Sequence, residues 1–362
     1  MSRQSPNKFM TQDRNTNSRA NIPSAPILLS VPDLAETLDF FTRRLGFRVD
    51  MIVPADAPEI AVISGQGMTL RLETGRPARL AESPIDPPSG GQRLIISRLN
   101  ADNAWNVGRA GMQYRDLIPG RLGGRFIASH IRIPGGGETP DYAHYHKVRF
   151  QMIYCKAGWA RVVYEDQGPP FTLETGDCVL QPPEIRHRVL ESSPGLEVIE
   201  IGCPAVHETW ADHELQLPTR QVSPERIFGG QRFVRHRASA AQWTPWRLDG
   251  FETRETGIAA ATNGLAGARV VRATAETAAP ADGHAGEFLF LFVLQGALNL
   301  DSHAQGNHQL QAGDSCVIPA GMGYTLRAGA GLELLEVSLP ADESFLSVSC
   351  AIAKMKSPSP DT

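Results

Sequence analysis

HYHKVRFQMIYCKAG, residues 144–158, and GDCVLQPPEIRH, residues 176–187, decide how this chain folds and where its chemistry sits. Successive side chains of a strand point to opposite faces, so His144 and His146 share one face and Tyr145 takes the other. His187 follows the turn-like Gln181-Pro182-Pro183-Glu184 and precedes the apolar Val189-Leu190, where a return strand of an antiparallel barrel brings it to the same interior. Three imidazoles converging on one point suit Zn, Cu, Fe or Ni. The same pair of histidines could instead be polar surface on a solvated strand. What favours a metal is that Gly158, Gly176, Pro182 and His187 all fall in register with them.

Outward from these stretches the chain is mainly β. Short alternating strands are expected over residues 125–133, 144–154, 160–164, 178–180, 187–190 and 196–201, each gap marked by turn residues, as in a sandwich or small barrel. An irregular bridge follows, and beyond it an internal repeat. LQAGDSCVIPAGMGYTL (residues 310–326) parallels LETGDCVLQPPEIRHRV (residues 173–189), and the turns Gly176-Asp177 and Gly313-Asp314 are nearly the same phrase. Aligning the copies places Asp282 and His284 opposite the two first histidines, Leu289 opposite Gln151 and Tyr324 opposite His187. One histidine of the set remains, so the second barrel is expected to have lost its ion.

Ahead of the barrels, Ile27–Val31 reads as a strand and Asp33 as the cap of a helix in which Leu34, Leu38, Phe41 and Leu45 recur at helical spacing. Gly46 closes it and three short strands follow, giving a βαβββ order. The expected division is a disordered leader (1–25), this module (26–75), a Pro/Gly/Arg-rich linker (76–112), the metal-binding barrel (113–205), a bridge (206–250), a degenerate barrel (251–345) and a tail (346–362).

The 362 residues suit two or three domains, with 41% apolar and 20% charged content typical of globular chains. Met1 to Ala25 is polar and lacks the apolar core of a signal peptide, and no apolar run approaches the ~20 residues of a membrane helix. Five cysteines (155, 178, 203, 316, 350), widely spaced and without C-x-x-C, indicate neither a disulfide scaffold nor a zinc ribbon and fit a reducing cytoplasm. A net charge of −4 argues against nucleic acid, and no Walker or dinucleotide loop is present.

The two-part pattern, H-x-H-x4-Q-x6-G and G-x5-P-x4-H, resembles the signature of the cupin superfamily, and with its repeat the chain resembles a bicupin of two jelly-roll (double-stranded β-helix) barrels. The resemblance implies one divalent metal held by His144, His146 and His187, with Gln151 where the family usually has glutamate. A neutral amide is a weaker ligand, so Gln151 binds the ion weakly, orients a ligand or bonds substrate. The neutral shell points to Fe(II), with Zn, Mn or Ni as alternatives, and to a dioxygenase acting on a small organic acid or aromatic compound. A redox-neutral lyase, isomerase or hydrolase, or a non-catalytic sensor or assembly protein, stays open. Arg161 is either an inward partner for a substrate carboxylate or, after a one-residue register slip, a surface arginine. SVPDLAETLDFFTRRLGFRV (residues 30–49) resembles one half-module of the glyoxalase/bleomycin-resistance (vicinal oxygen chelate) superfamily. That likeness implies a packing module seeking its equivalent in another subunit, hence a homodimer, and removable without loss of the barrel's metal.

Overall fold

The computed structural model describes residues 26–75, 92–100, 105–108 and 111–341; the expected leader and the tail lie outside the described residues. Two β-barrels pack face to face, and the alternation of two strands shows why. In Phe150–Ala157, Phe150, Met152 and Tyr154 enter a core shared by both barrels, while Gln151 and Ile153 face the first barrel's interior. In Phe288–Gln295, Phe288, Phe290 and Phe292 enter the same shared core, while Leu289, Leu291 and Val293 fill the second interior. Phe126 stacks on Phe288 across the junction, ring centroids 4.1 Å apart. Each such buried side chain contributes roughly 1.5–3 kcal/mol of apolar transfer. Both faces of these strands are therefore buried, and neither barrel is complete without the other.

The repeated Gly-Asp turns are superimposable in their bonding. Gly176 (φ +89°) and Gly313 (φ +93°) both take the left-handed conformation that side-chain-bearing residues avoid. The aspartate that follows accepts from Glu174 N in the first barrel (3.2 Å) and from Gln311 N in the second (2.9 Å). Its other oxygen anchors a distant segment, Ala238 N for Asp177 (2.8 Å) and Leu99 N for Asp314 (2.7 Å). Those segments exchange places. The strand Ile95–Ser97, which precedes the first barrel, pairs with Ser315–Val317 of the second, and Val234–His236, which precedes the second, pairs with Cys178–Leu180 of the first. Residues 95–97 are thus an edge strand of the second barrel's sheet, where the sequence suggested linker; a three-residue strand in a Pro/Gly-rich context carries too little periodicity to be read.

The N-terminal unit forms β1 (Ile27–Val31), a helix Leu34–Asp39 capped by Asp33 Oδ1 on Glu36 N (2.9 Å), β2 (Arg48–Val53), β3 (Ile60–Gly65) and β4 (Met68–Thr74). The helix ends in a π-helical turn, Phe40–Arg44. β1 pairs in parallel with β4, and the order β1-β4-β3-β2 continues directly into the first barrel, because β2 pairs with the strand Thr209–Ala211. The sheet of this N-terminal unit thus continues into the sheet that carries His144, His146 and His187. No helix among the described residues is long and apolar enough to cross a membrane.

Candidate metal centre

His144 and His146 flank Tyr145 on a three-residue strand that pairs on one side with His187–Ser192 and on the other with Thr209–Ala211. His187 is the direct cross-strand partner of His144, which brings a residue over forty positions downstream to the pair. The three rings stand 4.2 Å (His144–His187), 5.2 Å (His144–His146) and 5.3 Å (His146–His187) apart, all buried, and one nitrogen from each lies within 4.8 Å of the others.

The tautomers are set by what surrounds Nδ1. His144 Nδ1 lies 2.9 Å from the Tyr142 carbonyl, His187 Nδ1 3.0 Å from the Ile185 carbonyl and His146 Nδ1 2.9 Å from Thr209 Oγ1. Two of these acceptors are carbonyls, which can only receive a proton, so Nδ1 carries the hydrogen and Nε2 the lone pair. Asp141 braces the first ring, its Oδ1 3.5 Å from His144 Nδ1 and its Oδ2 accepting from Val189 N at 3.0 Å. Thr209, which serves His146, is itself fixed by pairing with Ile52 of β2. Three imidazole donors, two of them with the tautomer fixed by a backbone carbonyl, fit a borderline divalent metal.

The histidines open into a cavity of about 100 Å³. That is well below the ~300–1,000 Å³ of pockets for drug-sized ligands. Its walls are largely apolar (Tyr114, Ile131, Val162, Leu196, Val198 and, from the N-terminal unit, Ala55), with Gln151, Gln181, Glu200 and Arg188 as polar points. Gln151 is 1% exposed and donates from Nε2 to Glu200 Oε1 at 2.5 Å. Tyr164 stacks on His187 at 5.4 Å and bonds Gln181; burial first, then the Glu200 charge, pushes its phenol well above the usual range, so it stays protonated.

Arg161 is not part of this site. It is exposed and pairs with Glu191 at 3.2 Å on the outer surface. Inward positions on its strand belong to Ala160, Val162 and Tyr164, and a bulge between Arg161 and Val162 breaks the register with the neighbouring strand. His207 lies 5.5 Å from His146 without joining the ligand group; its Nδ1 meets the Pro204 carbonyl, and burial lowers its pKa and keeps it neutral. His213 reaches the Val49 carbonyl instead. Sequence reasoning passed over Glu200, Tyr164 and Thr209. The signal for Glu200 is its parity with Leu196 and Val198, a carboxylate on the otherwise apolar inward face of its strand.

Residues 129–201 match the sequence family described as Cupin domain. The first barrel has the cupin fold. A search of curated proteins by sequence finds no match. Among solved structures the chain is similar to a point mutant of oxalate decarboxylase from Bacillus subtilis, with 15% identity over 71% of this chain and 81% of that one and a TM-score of 0.51. It is also similar to the formate complex of oxalate decarboxylase from Lactobacillus farciminis (15% identity, 75% and 94% covered, TM-score 0.51). A third likeness is to a gentisate-bound point mutant of salicylate 1,2-dioxygenase from Pseudoaminobacter salicylatoxidans (17% identity, 71% and 84% covered, TM-score 0.50). At such identity these likenesses show the fold, a mainly β bicupin.

The second cupin barrel carries no such histidine group among the described residues. His284 Nε2 is 2.8 Å from the Ile318 carbonyl, Asp282 is exposed, and Leu289 and Tyr324 replace the other polar positions. Strand register makes Glu336 the counterpart of Glu200: Ile153 faces Glu200, and the equivalent Leu291 faces Glu336. Arg247 grips Glu336 with both terminal nitrogens (2.8 and 2.6 Å) and bonds Tyr324, while Arg269 approaches Glu336 at 3.3 Å. The second interior is filled by its own guanidinium.

Proposed function

We propose that the chain is a mononuclear metal-dependent cupin enzyme in which His144, His146 and His187 hold one divalent ion, Fe(II) by preference, and that it is a dioxygenase acting on a small organic acid or aromatic compound. The observation that carries this reading is the set of three buried imidazoles, two with Nδ1 on a backbone carbonyl and the third with Nδ1 on the Thr209 hydroxyl, whose ligand nitrogens lie within 4.8 Å of one another beside a largely apolar cavity. Bound there, iron would supply redox chemistry and a coordination site for substrate and dioxygen. The protein's share is to exclude water with the apolar walls, to present the Tyr164 hydroxyl and Gln181 amide as fixed polar points, and to limit substrate size by the cavity's volume. Bicupin neighbours include both a dioxygenase and decarboxylases, so fold likeness leaves the reaction open.

Glu200 favours a second reading. A carboxylate in the cavity can accept a proton, as proton transfer in a redox-neutral lyase would use. An oxygen electrode with Fe(II)-loaded protein, screened over small carboxylic and hydroxyaromatic acids, separates the two. Oxygen uptake matched to product supports the dioxygenase; product formed against a flat trace transfers the assignment to the lyase.

A further inference from the structure

We infer that Glu200 is a positioning residue that restores, from the neighbouring strand, the negative character missing at Gln151: it holds the amide with its NH2 group turned away from the imidazoles and its carbonyl oxygen turned toward them. The inference rests on the metal-centre reading above and concerns this chain's own residues.

An ionised carboxylate has acceptors and no donor, so an amide in contact with it must present Nε2. In the 2.5 Å contact between the two side chains it is Gln151 Nε2 that donates to Glu200 Oε1, the orientation a carboxylate requires. With Nε2 committed, Oε1 is the atom left to serve the cavity that Gln151 shares with His144, His146 and His187. A charge-assisted bond of this kind also polarises the amide, concentrating negative charge on Oε1. A carbonyl oxygen backed by a carboxylate is a better donor to a cation than an isolated amide. Gln151 thus acts as an intermediary, and the formal charge sits one hydrogen bond farther from the ion than a glutamate at 151 would put it.

The second barrel supplies an internal control. Its Glu336 occupies the same register position, but the residue opposite Gln151 is Leu289, which cannot donate. There the carboxylate takes its hydrogen bonds from Arg247 instead, and the interior needs no external cation. In both barrels this inward glutamate is matched by a donor group held inside the barrel. Only in the first does that donor have a second, accepting end to offer.

The test uses the full chain with Co(II) as probe, reading affinity by competition with a chelator and the visible absorption bands of the bound ion. Glu200→Gln frees the amide to flip and removes the charge; Co(II) affinity is expected to fall roughly 10- to 100-fold with shifted bands, as for other residues that orient ligands. The swap Q151E/E200Q, which exchanges the two groups across the same hydrogen bond, should return the affinity to within a few-fold of the native protein. A merely structural role for Glu200 would leave the bands unmoved. If E200Q does not fold, Gln151→Met, which removes the intermediary and keeps Glu200, is expected to weaken Co(II) in the same range. Native affinity and spectrum in E200Q, or in Q151M where E200Q is lost, overturn the inference. Failure of the native protein to bind Co(II) at all overturns the metal-centre reading, and the two failures are distinguishable because only the second involves no variant.

Discussion

Thr209→Val removes one hydrogen bond acceptor and almost nothing else. Thr209 is 2% exposed, its Oγ1 lies 2.9 Å from His146 Nδ1, and valine replaces the hydroxyl by a methyl of the same shape. A buried donor left without a partner costs about 1–3 kcal/mol. Where that cost falls depends on the ion. Without metal, His146 can move its proton to Nε2 and leave an acceptor at Nδ1, which limits the penalty. With metal, Nε2 is required for the ion, so Nδ1 must keep its hydrogen facing the valine methyl. The expense therefore appears as lost metal affinity, and at 1.4 kcal/mol per decade it amounts to roughly 5- to 150-fold. Zn(II) competition against a chelating indicator measures it, thermal melting of the metal-free protein supplies the control, and Thr209→Ser should recover most of the loss. Affinity within threefold of native in T209V would refute the reasoning that Thr209 sets the tautomer.

Removing residues 1–75 takes away β2, the backbone partner of Thr209–Ala211, so metal affinity should drop at least as far as in T209V; an unchanged affinity would show that the N-terminal unit is separable after all. Arg247→Ala leaves Glu336 buried with only Arg269 and should destabilise by about 3 kcal/mol or more in chemical denaturation, whereas Arg247→Met with Glu336→Leu should be far milder; equal losses would contradict a charge-pair role. Burial lowers the pKa of His130, His236 and His284 below the ordinary 6.5, so the unfolded chain binds more protons than the folded one below that pH, and stability should fall on acidification from pH 7 toward 5. A melting temperature that holds or rises over that window would contradict this.

The residues that converge on the candidate centre could be read from the sequence because both determinants are local: a period-two histidine pair and a turn that returns a third histidine to the adjacent strand. The repeat was legible for a similar reason, since the Gly-Asp turn repeats its backbone conformation and its bonds. What was not legible depends on pairing between distant segments. Arg161 lies outward because Ala160, Val162 and Tyr164 hold the inward parity of its strand, a phase set by pairing with His187–Ser192 that the residue pattern does not reveal. Glu200 escaped notice because its strand is buried on both faces, so alternation of apolar and polar residues does not mark which side meets the cavity. The fusion of the N-terminal sheet to the barrel rests on two residue pairs, Thr209 with Ile52 and Trp210 with Met51, and nothing in either segment announces the other.

The central claim is that three histidines of one barrel hold the ion and that the other barrel holds none. Elemental analysis of protein reconstituted with Fe(II) under anaerobic conditions and freed of unbound metal tests it most directly, on the native chain and on His187→Ala. One iron per native chain and almost none in H187A is the predicted result. Two per chain, or undiminished iron in H187A, would contradict it.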